Sequence, residues 1–300
     1  MSELVSPSAA PFDCAQGKLR TGPVEPKEIE FPLDDLVRRD RLPHLWCQGC
    51  GLGILLGAFL RAVQAAQIDM DRLALVSGIG CSGRLAGYVN CDTFHVTHGR
   101  AIPFATGLKL ANPKLKVAVV SGDGDLFSIG LSHLMHAARR NVEMLVVCVN
   151  NLNYGMTGGQ LGPTTPLAAV TQTTPWGNPE MPFNLVELAA ASGAVYVARW
   201  TVSYVQHLSA ALRRGMVRQG FAFVEVVSPC PTMYGRLNWE GDAVEMLAAL
   251  ERVSRISHGV PPAEATFDPQ QRILCGEFVD TERPSFAARL RHLREAVMTS

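Results

Sequence analysis

The chain has 300 residues, 47% hydrophobic and 18% charged, with 27 basic residues against 27 acidic ones. That length supports a large core in one or two domains, and the composition excludes a disordered or fibrous chain. Zero net charge counts against nucleic acid or an anionic membrane as a main partner, because both demand a basic surplus. Apolar runs such as residues 144–149 are far shorter than the about 20 residues of a bilayer span. The opening MSELVSPSAAPFDC lacks the basic and apolar regions of a secretory signal. The expectation is a cytoplasmic protein without a membrane partner.

Residues 1–41 carry five prolines up to Pro32 and no sustained periodicity, and read as an extended arm. From Leu52 the apolar positions 52, 55, 56, 59, 60 and 63 keep helical spacing. Residues 73–77 read as a buried strand running into the turn GIGCSG. A helix near residues 103–110, with its proline in the first turn, precedes a strand at 116–121 that ends in GDGD. Another helix around 129–140 leads to a strand at 142–149 ending in Asn150-Asn151. After a long polar loop come a short helix at 184–192, a strand at 195–199, a helix at 204–218 and a strand at 221–227 ending in SPCPT. Strands alternating with helices predict an α/β protein with a parallel sheet covered by helices on both faces. Residues 42–238 form that domain, and 239–300 read as a C-terminal helical extension with helices at about 242–257 and 285–298.

Cys81, Asp123, Asn151 and Cys230 each lie just after a predicted strand. In a parallel sheet those strand ends share one edge, where open α/β folds bind ligands. Gly122-Asp123-Gly124 is followed, after 25 residues, by Asn150-Asn151. Glycines let a backbone approach a phosphate closely. Asp123 offers a hard carboxylate, Asn151 an amide oxygen and Asn153 a backbone carbonyl, all suited to Mg²⁺. The pattern resembles the signature of thiamine-diphosphate-binding folds, with Asn150 as an orienting neighbour.

Eight cysteines in a reducing compartment point to metal binding or catalysis rather than to disulfides. Cys47 and Cys50 form the one Cys-x-x-Cys pair, which lacks the preceding strand of a thioredoxin-like motif. Cys81, in a glycine-rich turn, and Cys230, between two prolines, would complete a four-thiol set, with Cys91 as the rival for one place. Cys148 reads as core packing, Cys275 as structural and Cys14 as incidental. Spacing alone leaves zinc and [4Fe–4S] open, since both take four cysteines; a neighbouring diphosphate cofactor favours iron, because an electron sink belongs beside a carbanion generator.

WCQGCG (46–51), SGIGCSGR (77–84), THGRAIPFATGLKLANP (97–113), SGDGD (121–125), NNLNYGMTGGQ (150–160) and SPCPT (228–232) together resemble the β subunit of 2-oxoacid:ferredoxin oxidoreductases, in order, over residues 42–238. The resemblance implies one [4Fe–4S] cluster on Cys47, Cys50, Cys81 and Cys230, and Mg²⁺ on Asp123, Asn151 and the Asn153 carbonyl. It implies thiamine diphosphate against Ile79, Gly80, Cys81 and Ser82, with His98, Gly122, Asp123, Gly124, Asp125, Asn151, Asn153, Tyr154 and Gly155 completing the cofactor site. His98 is expected to touch the cofactor and Arg84 to face the substrate carboxylate, with which guanidinium pairs bidentately. Arg100 is a second candidate cation, and His95 reads as structural.

The implied reaction is coenzyme A-dependent oxidative decarboxylation of a 2-oxoacid to acyl-CoA and CO₂, with electrons passed to ferredoxin, or the reverse carboxylation that fixes CO₂. No segment resembles a second, pyrimidine-binding domain. In the family that this chain resembles, the glutamate that activates the cofactor belongs to an α subunit, so the resemblance implies an αβ or (αβ)2 assembly. CDTFHVTHGRAIPFATG and GNPEMPFN most resemble members acting on 2-oxoglutarate. Pyruvate, branched-chain or indolepyruvate oxidoreductases are the alternative, as are a non-oxidative thiamine-dependent decarboxylase with structural zinc and a non-catalytic electron-transfer subunit.

Overall fold

Alternation with period two governs the centre of the molecule. The computed structural model describes residues 12–13, 18–19, 32–239 and 241–299, and the chain divides into two units, residues 1–32 and 33–300. In the first, Phe12–Asp13 pairs antiparallel with Lys18–Leu19; Cys14 lies outside the described residues.

The second unit holds a block of six adjacent strands paired parallel to one another: β1 (Leu73–Ser77), β2 (Asp92–His95), β3 (Lys116–Gly122), β4 (Met144–Asn150), β5 (Tyr196–Thr201) and β6 (Phe221–Val227). Their order across the sheet is β5-β6-β4-β3-β1-β2. Along β4, Leu145, Val147 and Val149 face one core while Met144, Val146 and Cys148 face the other, so the whole strand is buried. The first core is closed by α1 (Leu52–Ala65) and α5 (Val205–Val217). The second is closed by α2 (Ala101–Ala111), α3 (Leu131–Arg140) and α4 (Leu185–Ala191). All six apolar positions expected on the inner face of α1 are buried. None of the described helices is long and apolar enough to cross a membrane.

The connections leave β1 and β3 in opposite directions, β1 to its neighbour β2 and β3 to β4 on the other side. This is a topological switch point, where the loops following two adjacent strands part and leave a crevice. The loops are GIGCSG after β1 and GDGD after β3, and they carry Cys81 and Asp123. Residues 125–129 form one wide, π-type turn, so α3 starts at Leu131.

Two boundaries differ from the sequence expectation. Residues 33–41 belong to the larger unit rather than to the arm. Leu33, Leu36 and Val37 pack on its core, Val37 bridges Val89, and the Arg38 amide donates to the Tyr88 carbonyl. The C-terminal sixty residues are not only helical. Besides α6 (Ala243–Val253) and α7 (Phe286–Thr299) they form β7 (Ser254–Ile256), β8 (Phe267–Asp268) and β9 (Arg272–Asp280), and β9 joins the sheet antiparallel to β5. Its apolar run is cut by Gly276, at φ +152°, where a Cβ would stand 2.3 Å from the Ser257 carbonyl oxygen. That interruption hides the strand from a search for continuous apolar segments.

Candidate active site

The β1 loop opens the crevice. Gly80 adopts φ +118°, a conformation that favours glycine, and nothing stands within 4 Å of where a Cβ would be. Across from it, Gly124 lies against the Tyr154 ring, where a Cβ would come within 2.3 Å of a ring carbon, and the Tyr154 hydroxyl donates to the Gly124 carbonyl at 3.3 Å. Every residue expected to touch the diphosphate cofactor lines one cleft between these loops: Ile79 through Ser82, His98, Gly122 through Asp125, Asn151, and Asn153 through Gly155. The cleft measures about 120 Å³, below the about 300 Å³ at which pockets for drug-sized ligands begin.

Asp123 is buried at the floor, and the Thr164 hydroxyl donates to its Oδ2. Burial pushes its carboxyl up to about 7, against the lowering effect of the Thr164 hydroxyl and the Gly124 amide. Without a cation the charged form is thus disfavoured. Its burial weakens the fold as pH rises from the ordinary carboxylate range through about 7, and a bound divalent cation removes that penalty. The Asn153 side chain is 3% exposed, and neither its Nδ2 nor its Oδ1 has a hydrogen-bond partner. Leu152 sits between Asn151 and Asn153 at φ +68°, a strained position for a branched side chain. It is held there by burial of its side chain, by its amide donating to Asn150 Oδ1 at 3.2 Å, and by its carbonyl accepting from the Thr165 hydroxyl at 2.6 Å. A buried carboxylate, an amide oxygen and orphaned polar atoms under a glycine-lined opening fit Mg²⁺ and a diphosphate.

Asp125 lines the cleft, yet its carboxylate is engaged within the protein. Oδ1 accepts from the Gly99 amide at 2.8 Å, from the Ile79 amide at 3.2 Å and from His98 Nδ1, while Oδ2 accepts from Ser121 Oγ at 2.8 Å. It ties the β1 loop, the β2–α2 loop and β3 together. Because a carboxylate only accepts, Nδ1 carries the His98 proton and Nε2 is the nitrogen left for other partners.

Cys47, Cys50, Cys81 and Cys230 surround a second cavity of about 420 Å³. Trp46 brings two of the loops together: its Nε1 donates to the Cys81 carbonyl at 2.8 Å. Burial raises the Cys81 thiol to about 11, and its neighbours Cys230, Cys47 and Cys50 add to the rise. Among the described residues no three His, Cys, Asp or Glu side chains are arranged to hold a single ion. Four cysteines on one cavity fit a thiolate-held metal centre, for which both zinc and [4Fe–4S] take four cysteines. Cys91, the rival ligand, is absent from this lining; burial pushes its thiol to about 12. Cys148 and Cys275 are buried within β4 and β9.

The two cavities share Cys81, Asn151, Gly155 and Met156. A Cβ on Gly155 would lie 3.3 Å from Asn153 Oδ1, 3.4 Å from Cys230 Sγ and 3.5 Å from Asn151 Nδ2. One glycine therefore separates the thiol set from the oxygen set. Arg84 is exposed and lines the thiol-side cavity, beside this wall. The Arg100 guanidinium donates to the Gly99 and Ile129 carbonyls and lines neither cavity. His95 is anchored through Nδ1 to the Ser77 hydroxyl at 2.9 Å. Sequence reasoning missed Thr164, Met156 and Trp46. Thr164 reaches Asp123 only because the long loop after β4 folds back, and nothing in the local sequence marks it; Trp46 adjoins the Cys-x-x-Cys and carried that much of a signal.

Residues 78–226 match the family model described as thiamine pyrophosphate enzyme, C-terminal TPP binding domain. The chain is 47% identical over 264 residues to the 2-oxoglutarate synthase subunit KorB of Methanothermobacter marburgensis, covering 87% of this chain and 91% of the relative. It is 42% identical over 189 residues to the 2-oxoacid:ferredoxin oxidoreductase subunit beta of Saccharolobus solfataricus, covering 62% of each. Among solved structures it resembles a 2-oxoglutarate:ferredoxin oxidoreductase from Magnetococcus marinus with 2-oxoglutarate, coenzyme A and succinyl-CoA bound. The TM-score there is 0.77 at 32% identity, covering 88% of this chain and 90% of that one.

Proposed function

Because the chain belongs to the family of 2-oxoacid:ferredoxin oxidoreductase β subunits that includes KorB of 2-oxoglutarate synthase, we propose that it is the thiamine-diphosphate- and iron–sulfur-binding subunit of a cytoplasmic enzyme acting on 2-oxoglutarate. The reaction couples 2-oxoglutarate and coenzyme A to succinyl-CoA and CO₂ with electrons delivered to ferredoxin, or runs in reverse as the CO₂-fixing step of a reductive tricarboxylic acid cycle. The observation that carries this reading is the shared wall: the oxygen-lined cleft and the four-thiol cavity meet at Cys81, Asn151 and Gly155.

Thiamine diphosphate supplies the carbon nucleophile for cleavage beside a 2-oxo group, and a [4Fe–4S] cluster supplies a one-electron acceptor. The protein supplies position and charge. Asp123, the Asn151 amide and the Asn153 carbonyl would hold Mg²⁺ against the diphosphate. Asp125 fixes the His98 ring so that Nε2 is available to a bound molecule. Cys47, Cys50, Cys81 and Cys230 would hold the cluster. Arg84, the guanidinium lining either cavity among the described residues, is placed to pair with a substrate carboxylate.

Among the described residues no glutamate lines the cleft, and the cleft is small. Ile79 and Met156 stand exposed at its lining, and Trp176, 96% exposed, and Met181 on the loop that follows β4. These features favour an α subunit that covers the opening and brings the activating glutamate, in an αβ or (αβ)2 assembly. The chain alone is expected to show no turnover. Purified with its α subunit, it should reduce viologen with 2-oxoglutarate and coenzyme A, with a higher kcat/KM for 2-oxoglutarate than for pyruvate, which lacks the distal carboxylate. Preference for pyruvate would overturn the substrate assignment, and turnover by the isolated chain would overturn the need for a partner.

A further inference from the structure

Ser228-Pro229-Cys230-Pro231-Thr232 places a hydroxyl two residues on either side of a cysteine whose immediate neighbours are both prolines. Proline has no N–H, so neither immediate neighbour of Cys230 offers sulfur an amide. Elsewhere in the set amides do so: Cys50 receives one from Leu52 in the first turn of α1, and Cys81 has its own backbone N–H. The two hydroxyls face the same cavity as the four thiols. Thr232 Oγ1 lies 3.4 Å from Cys47 Sγ. Ser228 is 4% exposed, and its Oγ has no partner within the protein. A Cβ on Gly51, the residue after Cys50, would stand 2.7 Å from that hydroxyl, so the loop carrying Cys50 passes directly against it.

A buried hydroxyl without a partner is costly, and a thiolate bound to iron can only accept. Resting on the iron–sulfur reading above, we propose that Ser228 and Thr232 are positioning residues whose hydroxyls donate to the sulfurs of the cluster site and set its reduction potential. Hydrogen bonds to sulfur stabilise the reduced, more negative cluster more than the oxidised one, so they raise the potential.

The test is a redox titration of the holoenzyme with its α subunit, followed by visible absorption and by the electron paramagnetic signal of the reduced cluster. Thr232→Val and Ser228→Ala should each keep a full complement of iron and sulfide and titrate at a more negative potential. The reduced-to-oxidised ratio at a fixed ambient potential should fall several-fold in each. Thr232→Ser, which keeps the hydroxyl, should restore the original potential, and Thr232→Ala should match Thr232→Val. Unchanged potentials in cluster-replete Thr232→Val and Ser228→Ala would overturn the proposal. So would an equal shift in Thr232→Ser and Thr232→Val, which would report packing alone. An unsubstituted holoenzyme that retains thiamine diphosphate but shows no iron–sulfur absorption would instead overturn the reading on which the proposal rests.

Discussion

Asp123→Ala should abolish retention of Mg²⁺ and thiamine diphosphate while leaving the iron–sulfur absorption intact. The carboxylate is the single charged group in the expected Mg²⁺ set, and it is buried under the Thr164 hydroxyl. Removing one partner of a buried charge pair costs about 2–5 kcal/mol, which weakens cofactor binding by roughly 30- to 5,000-fold. Isothermal titration with thiamine diphosphate and Mg²⁺ reads that change directly. The unsubstituted protein should also bind the cation more weakly as pH falls below about 7, because a proton then competes for a carboxyl that burial has raised to that value. Undiminished cofactor binding in Asp123→Ala, or loss of the chromophore alone, would contradict the assignment of the two sites.

The second large effect lies away from the cavities. Arg199 and Glu225 are fully buried on neighbouring strands β5 and β6, paired Nε to Oε2 at 2.7 Å. The other guanidinium nitrogens donate to the Ala265, Thr266 and Leu274 carbonyls and to Asn184 Oδ1, the side chain that caps α4. Glu225 Oε1 accepts from Asn150 Nδ2 at 2.8 Å, and Asn150 Oδ1 in turn holds the Leu152 amide. One ion pair thus links the C-terminal strands to the loop that carries Asn151 and Asn153. Breaking it by removing one partner leaves an uncompensated buried charge and costs about 3–5 kcal/mol. Arg199→Ala should therefore melt about 10 °C lower than the unsubstituted protein. Glu225→Ala should lose comparable stability and weaken Mg²⁺ binding as well, because Asn150 is released. A melting point within 2 °C of the original, roughly the shift that 1 kcal/mol gives in a chain of this size, would show that the network is not holding the fold.

Much of this arrangement was legible from residue types. The run at 142–149 read as a strand and is one buried on both faces, and the spacing from Leu52 to Val63 marked the inner face of α1. The four groups placed after strands share the C-terminal edge of the parallel sheet, because strand ends in such a sheet share one edge. What stayed hidden depends on chain segments distant in sequence. Asp125, expected at the cofactor site, lines the cleft, and the donors its carboxylate accepts from, residues 79, 98, 99 and 121, lie on three separate segments. Thr164 meets Asp123 across 41 residues. The order β5-β6-β4-β3-β1-β2, which creates the crevice, is a property of crossovers and not of any one segment. Strand β9 was concealed by its own glycine.

The side-by-side placement of cofactor cleft and thiol cavity is tested most directly by adding 2-oxoglutarate and coenzyme A to the anaerobic complex with its α subunit and following the visible absorption. The iron–sulfur band should bleach on addition of substrate, and the Asp123→Ala complex should bleach with dithionite but not with substrate. A complex that turns substrate over without an iron–sulfur band, or whose band stays oxidised throughout turnover, would contradict it.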